Sequence, residues 1–275
     1  MNQLTEKPQT SQPLTRPTTS RPLHPALSVA IAFVVGVVIW RGVDMVVDAV
    51  LPGYSTASHA ARAFGCGALT MLAVAGYLRW TGQGWAALGW DRRRAPRELA
   101  VGMLAYLLPA SLAITAFVAF GPASIDVVGD PVAIVGQLLF LAVLVAAFEA
   151  VPEEFLVRGW VFGALAQRWR TGIAILGQAA FFCLWGLAIG AAPTVDRLIF
   201  FALFAIVQGV LRAQTGSVAC TIGFHLAFQI VAQFLINVRW DAATLHDPGE
   251  WVTLIGIGLV PLAVAPLLAR RLLRR

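Results

Sequence analysis

The stretch that decides the fold is PVAIVGQLLFLAVLVAAFEAVPEEFLVRGW, residues 131 to 160. From Pro131 to Phe148 it carries no charge, and then Glu149, Glu153, Glu154 and Arg158 follow within ten positions. The uncharged part approaches the ~20 residues that a helix needs to cross a bilayer. Ionised side chains in hydrocarbon cost roughly 3 kcal/mol or more each, so these four must face protein or trapped water, or sit near the membrane boundary.

Working outward, the same character extends through the chain. Of 275 residues, 59% are hydrophobic and only 12% charged, and the mean hydropathy is +0.77. A soluble domain carries roughly twice that charged fraction. An all-α polytopic membrane bundle is therefore expected, with spans near 26–47, 61–80, 99–120, 131–151, 172–191, 196–214, 217–237 and 251–269. Residues 1–25 are rich in Pro, Thr, Ser and Gln and predict a disordered cytoplasmic tail. Residues 26–125 hold the first spans, 130–240 the core that carries the charged motif, and 250–275 the last span with a basic end.

The net charge of +6 is almost all arginine, Lys7 being the only lysine. The arginines fall in short loops on one side, in DRRRAPR at 91–97, at Arg168 and Arg170, at Arg212 and in the terminal RRLLRR, whereas the opposite loops are mostly acidic. That alternation predicts both termini in the cytoplasm of a multi-pass cell-membrane protein, most simply a bacterial inner membrane. It reads as topology rather than a phosphate-binding face, so the lipid bilayer is an expected partner and nucleic acid is not. Seven of the nine tryptophans, Trp40 among them, fall near span ends, where amphipathic rings prefer to sit. The basic, aromatic segment 82–98 reads as a cytoplasmic anchoring loop, its tryptophans towards the membrane. Cys66, Cys183 and Cys220 lie inside apolar runs, odd in number, and predict buried thiols rather than disulfides.

Pro152 lacks a backbone donor, so a helix restarting there is expected, with Glu153 and Glu154 in its electropositive first turn. On that helix Glu154 and Arg158, four apart, share a face and can pair, while Glu153 points about 100° away. By position alone, a solvated and capped span end explains these charges equally well. A second polar feature favours a site: His225, Gln229, Gln233 and Asn237 recur every fourth residue along an apolar span. Intramembrane glutamines and asparagines commonly bond neighbouring helices, but a lone intramembrane histidine points to function.

With these residues in view, PEEFLVRGWVFGAL resembles the EExxxR motif of the CAAX-processing and bacteriocin-processing membrane protease family, also called Abi, which includes the Ras-converting prenyl endopeptidases. RAQTGSVACTIGFHLAFQ, at 212–229, resembles its later turn and HxxxN motif, and LGWDRRR, at 88–94, its short loop segment. The resemblance covers about residues 130 to 237. It implies an intramembrane endopeptidase working in a helix-lined cavity open to the cytoplasm on a membrane-embedded or lipid-anchored peptide substrate. By matching position, Glu153 is the general base, Glu154 and Arg158 its supporting ion pair, His225 the residue that orients water, holds metal or stabilises the oxyanion, and Gln229 stands where an asparagine helps hold that oxyanion. The family's middle FxxxH motif falls on QAAFFCLWGLAIG, with Trp185 at the histidine position. Trp185 can neither bind metal nor accept a proton. Zinc therefore stays open as a cofactor, with Glu153 and His225 its candidate ligands, and a two-histidine site is not expected. Two activities stay open as well: a glutamate-dependent peptidase, or a catalytically impaired relative that binds or presents a membrane segment. A transporter is set aside, since no second copy of PEEFLVR appears in the other half.

Overall fold

In the computed structural model, which describes residues 23–121, 123–236, 240 and 242–273, eight helices are long and apolar enough to cross a membrane. They are α1 (Pro25–Val50), α2 (Thr56–Thr81), α3 (Ala95–Phe120), α4 (Pro131–Ala166), α5 (Thr171–Ile189), α6 (Val195–Thr215), α7 (Val218–Ile236) and α8 (Val252–Leu273). Large apolar side chains such as Phe120, Leu112, Val132 and Met45 stand exposed along them, as lipid-facing residues do. The protein is an all-α polytopic membrane bundle. Nearly all of the expected tail, Asn237 and the last two arginines lie outside the described residues.

Local chemistry explains several helix ends. The Asp130 carboxylate accepts from the backbone N–H of Val132 and of Ala133, both at 3.1 Å, with Pro131 opening α4. Ser55 and Ser58 bond reciprocally at the start of α2. Close crossings rest on glycine. A Cβ on Gly102 of α3 would lie 2.0 Å from the Cys220 carbonyl of α7, and one on Gly223 of α7 would lie 2.0 Å from the Leu99 carbonyl of α3. The two backbones touch because neither position carries a side chain.

The expected restart at Pro152 does not occur. α4 continues through it to Ala166, 36 residues or about 54 Å, well beyond a bilayer core of ~30 Å. Two π-helical segments, Ala146–Ala150 and Phe155–Val161, flank the proline. A wider turn before Pro152 gives its ring the room that a regular α-turn denies, and the bond its nitrogen cannot donate is absorbed in the changed register.

Two other expectations need correcting. Segment 82–98 does not simply lie along the interface: Leu88 is buried against Gly159, Trp85 and Trp90 pack on Phe155 with ring centroids at 5.4 Å, and the Val218 N–H donates to the Gly89 carbonyl at 3.0 Å. Apolar rings find a larger dry contact on α4 than at the headgroups. Trp40 is an interior residue rather than a membrane-belt one, in contact with Phe148 and Trp185. A short antiparallel ribbon, β1 (Ser124–Val127) with β2 (Ala243–His246), also ties the α3–α4 connection to the α7–α8 connection.

Candidate active site

Helix α4 places its glutamates differently although two of them are neighbours. Glu154 is completely buried. Its Oε1 accepts from Arg158 Nη1 at 2.9 Å, from Gln208 Nε2 at 3.0 Å and from His225 Nδ1 at 2.9 Å. The i, i+4 pair expected between Glu154 and Arg158 is formed. The guanidinium of Arg158 also sits over the Phe182 ring, 4.9 Å from its centroid, and Arg212 Nε of α6 donates to the Arg158 carbonyl at 3.1 Å. Gln208 donates again to the Thr221 carbonyl at 3.1 Å. Helices α4, α6 and α7 are thus held around one carboxylate.

Glu153 faces the other way. It makes no hydrogen bond or ion pair among the described residues, and it lines a chamber of about 1200 Å³. His225, Gln229 and Gln233 of α7 line the same chamber, as do Glu149, Trp40, Phe182 and Phe204. Glu149 accepts from Gln233 Nε2 at 2.9 Å, so the polar stripe of α7 meets the glutamate ladder of α4 across the cavity. A neutral imidazole that bonds a carboxylate through Nδ1 carries its proton there, leaving the Nε2 lone pair free. His225 also packs edge-on against Phe204, ring centroids 4.8 Å apart, which fixes its plane.

Residues 135–231 match the family model described as type II CAAX prenyl endopeptidase Rce1-like. Over that segment, about a third of the chain, the protein is similar to the Rce1-like family. No curated protein matches the chain. The Rce1-like segment holds Glu149, Glu153, Glu154, Arg158, Gln208, His225 and Gln229.

Trp185 does not line the chamber. It is buried behind Trp40, edge-to-face at 4.9 Å, and its Nε1 has no partner among the described residues. A Cβ added to Gly36 of α1 would lie 2.9 Å from that nitrogen, so the indole fills the seam between α1 and α5. The donor set does not suit zinc: among the described residues no three His, Cys, Asp or Glu side chains converge as ligands, and a protein zinc site takes about three.

The residue that sequence reasoning passed over is Gln208. It is a fully buried amide in a helix otherwise apolar around it, and that isolation was its only signal. Gln178, alike in sequence, instead bonds the backbone carbonyls of Ile175 and Ala205, so a lone glutamine in a span does not distinguish a site from a helix tie.

The chamber also has a direction. Its rim is formed by Gly53, Tyr54, Gly190, Ala191, Asp196 and Glu250, all in loops or helix starts of one membrane face. Its floor is the Glu154 network. Beneath that floor Leu88, Gly89 and Val218 close the bundle, and a Cβ on Gly89, where φ is +83°, would lie 2.4 Å from Arg212 Nη2. Except for Arg41, Arg62, Arg158 and Arg197, every described arginine lies on the closed face. A cavity open to the cytoplasm and arginine-rich loops in the cytoplasm cannot both hold for this molecule.

Proposed function

We propose that the protein is an intramembrane endopeptidase in which Glu153 activates water against the peptide bond of a membrane-associated substrate. The observation that carries this is the contrast between adjacent glutamates: Glu154 Oε1 accepts from three donors, while Glu153 has no hydrogen-bond partner among the described residues and lines a chamber shared with His225 and Gln229. In the reaction, Glu153 takes a proton from water as the oxygen bonds the carbonyl carbon. His225 Nε2 accepts the water's other O–H and aligns it, with Glu154 holding the ring. The Gln229 amide N–H donates to the developing oxyanion, and the Glu153 carboxyl returns its proton to the leaving nitrogen as the C–N bond breaks. No step uses a metal.

The test is cleavage of reconstituted membrane-anchored peptides, a prenylated CAAX peptide among them, by purified wild type and Glu153→Gln. We expect the variant to lose about 10²- to 10⁴-fold in rate, the usual contribution of a general base. Equal rates would remove Glu153 from the chemistry.

A second reading has one observation in its favour. With Trp185 at the family's histidine position and turned to α1, no imidazole from α5 joins His225 in the chamber, which suits a protein that binds or presents a membrane segment without cutting it. Binding of the peptides without product from either protein would support that reading.

A further inference from the structure

We infer that the chamber opens to the extracytoplasmic side, so that its substrate is a membrane-anchored polypeptide presented from outside the cell rather than at the cytoplasmic surface. The inference rests on reading the chamber as the peptidase site, and it concerns only the side from which that site is reached.

Contacts sort the connections into two faces. On one, the Gly89 carbonyl meets the Val218 N–H, Ser217 Oγ donates to Glu98 at 2.6 Å, and Arg97 Nη2 donates to the Leu272 carbonyl at 3.2 Å. The loop 82–94, the α6–α7 turn and the end of α8 therefore lie together. On the other, Arg62 pairs with Asp44 and Asp48, Arg41 Nε donates to the Ala188 carbonyl at 3.1 Å, and β1 pairs with β2. The first face holds Arg92, Arg93, Arg94 and Arg97, then Arg168, Arg170, Arg270 and Arg271, against Asp91 and Glu98. The second holds Asp44, Asp48, Asp126, Asp130, Asp196, Asp247 and Glu250, against Arg41, Arg62 and Arg197.

Arginine in short loops stays on the cytoplasmic side during insertion, and here the bias repeats at each connection. The chamber's rim is entirely on the second face. No residue of the 82–94 loop, the α4–α5 turn or the α6–α7 turn lines it, and the buried ion pair of Glu154 and Arg158 separates it from them. A cytoplasmic peptide would have to cross that network to reach Glu153. An extracytoplasmic one descends past Tyr54 and Asp196 between the apolar walls of α6 and α8, where Phe200, Phe204, Leu254 and Ile257 can receive its membrane anchor.

The experiment uses the full chain in sealed right-side-out membrane vesicles and a small membrane-impermeant thiosulfonate. Cys183→Ala supplies the background, because Cys66 and Cys220 are fully buried. Thr194→Cys reports the rim loop, Ala232→Cys the chamber wall and Gln167→Cys the closed face; Thr194 and Gln167 are exposed, and Ala232 lines the cavity. We expect Thr194→Cys and Ala232→Cys to be modified in intact vesicles and Gln167→Cys only after permeabilisation. The reverse pattern, or Ala232→Cys modified only together with Gln167→Cys, would overturn the inference. A carboxy-terminal alkaline phosphatase fusion, which needs no cysteine variant, should be inactive in cells; activity would overturn it too. Glu153-dependent cleavage in detergent is blind to orientation, so either result here leaves the peptidase test standing on its own.

Discussion

Glu154 Oε1 takes three donors at once, while Glu153, the next residue, takes none among the described residues, and their energetic roles differ accordingly. Removing one member of a buried, bonded ion pair strands the other charge, at about 3–5 kcal/mol. Arg158→Met and Glu154→Gln should each lower stability by about that much, read by chemical unfolding in detergent. The double variant should recover part of the loss, since neither charge is then left alone. Glu153→Gln, which breaks no bond, should unfold within about 1 kcal/mol of wild type while losing cleavage. If Glu153→Gln proves as unstable as Arg158→Met, the division between supporting and reacting glutamate is wrong. The pairing of Glu154 with Arg158 was legible from an i, i+4 spacing. That His225 bonds Glu154 was not, because 71 residues separate them and no local rule links two helices across that distance.

At the scale of elements, the position of the glutamates depends on the π-turns of α4. The segment Ala146–Ala150 lies against α2, and a Cβ on Gly67 would lie 2.2 Å from the Ala147 carbonyl oxygen. A backbone oxygen cannot rotate away as a side chain does, so Gly67→Ala must push α2 from α4. We expect a loss of about 1–3 kcal/mol, and a fall in cleavage as Glu149 and Glu153 shift with the turn. Gly76→Ala, on the same helix with nothing within 4 Å of its Cβ, should instead stabilise by about 0.5–1 kcal/mol through helix propensity. Unfolding and cleavage measured side by side on the two variants decide the point; equal behaviour would mean that the α2 contact does not set the turn. Sequence reading expected a helix restarting at Pro152, and the reason it did not see a continuous one is physical. Proline's cost is local, whereas the packing of α4 against α2, α5 and α7 that carries the helix through is not.

For the whole molecule, the chamber is the feature that matters, since helices α1, α2, α4, α5, α6, α7 and α8 all contribute walls. Its space is not part of the packed core, so filling it should cost little stability and much access. Ala232→Trp places an indole on the cavity wall. We expect cleavage to fall at least tenfold with the unfolding midpoint unchanged within about 1 kcal/mol, as for a substitution away from packed contacts. Unaltered cleavage by a stably folded Ala232→Trp would mean that substrate does not use this cavity.

Taken alone, the sequence determined that the chain is a multi-pass helical membrane protein, where seven of its eight spans lie to within a few residues and where the fourth begins, and that one helix carries an acidic motif with an i, i+4 ion pair. Each of these follows from hydropathy, charge placement or spacing within a single segment. Tertiary structure decided that Gln208 joins the Glu154 network, that Trp185 turns to α1, and that the chamber opens away from the arginine-rich face. These depend on which helix faces meet, and lipid accepts any apolar face that the bundle leaves outside.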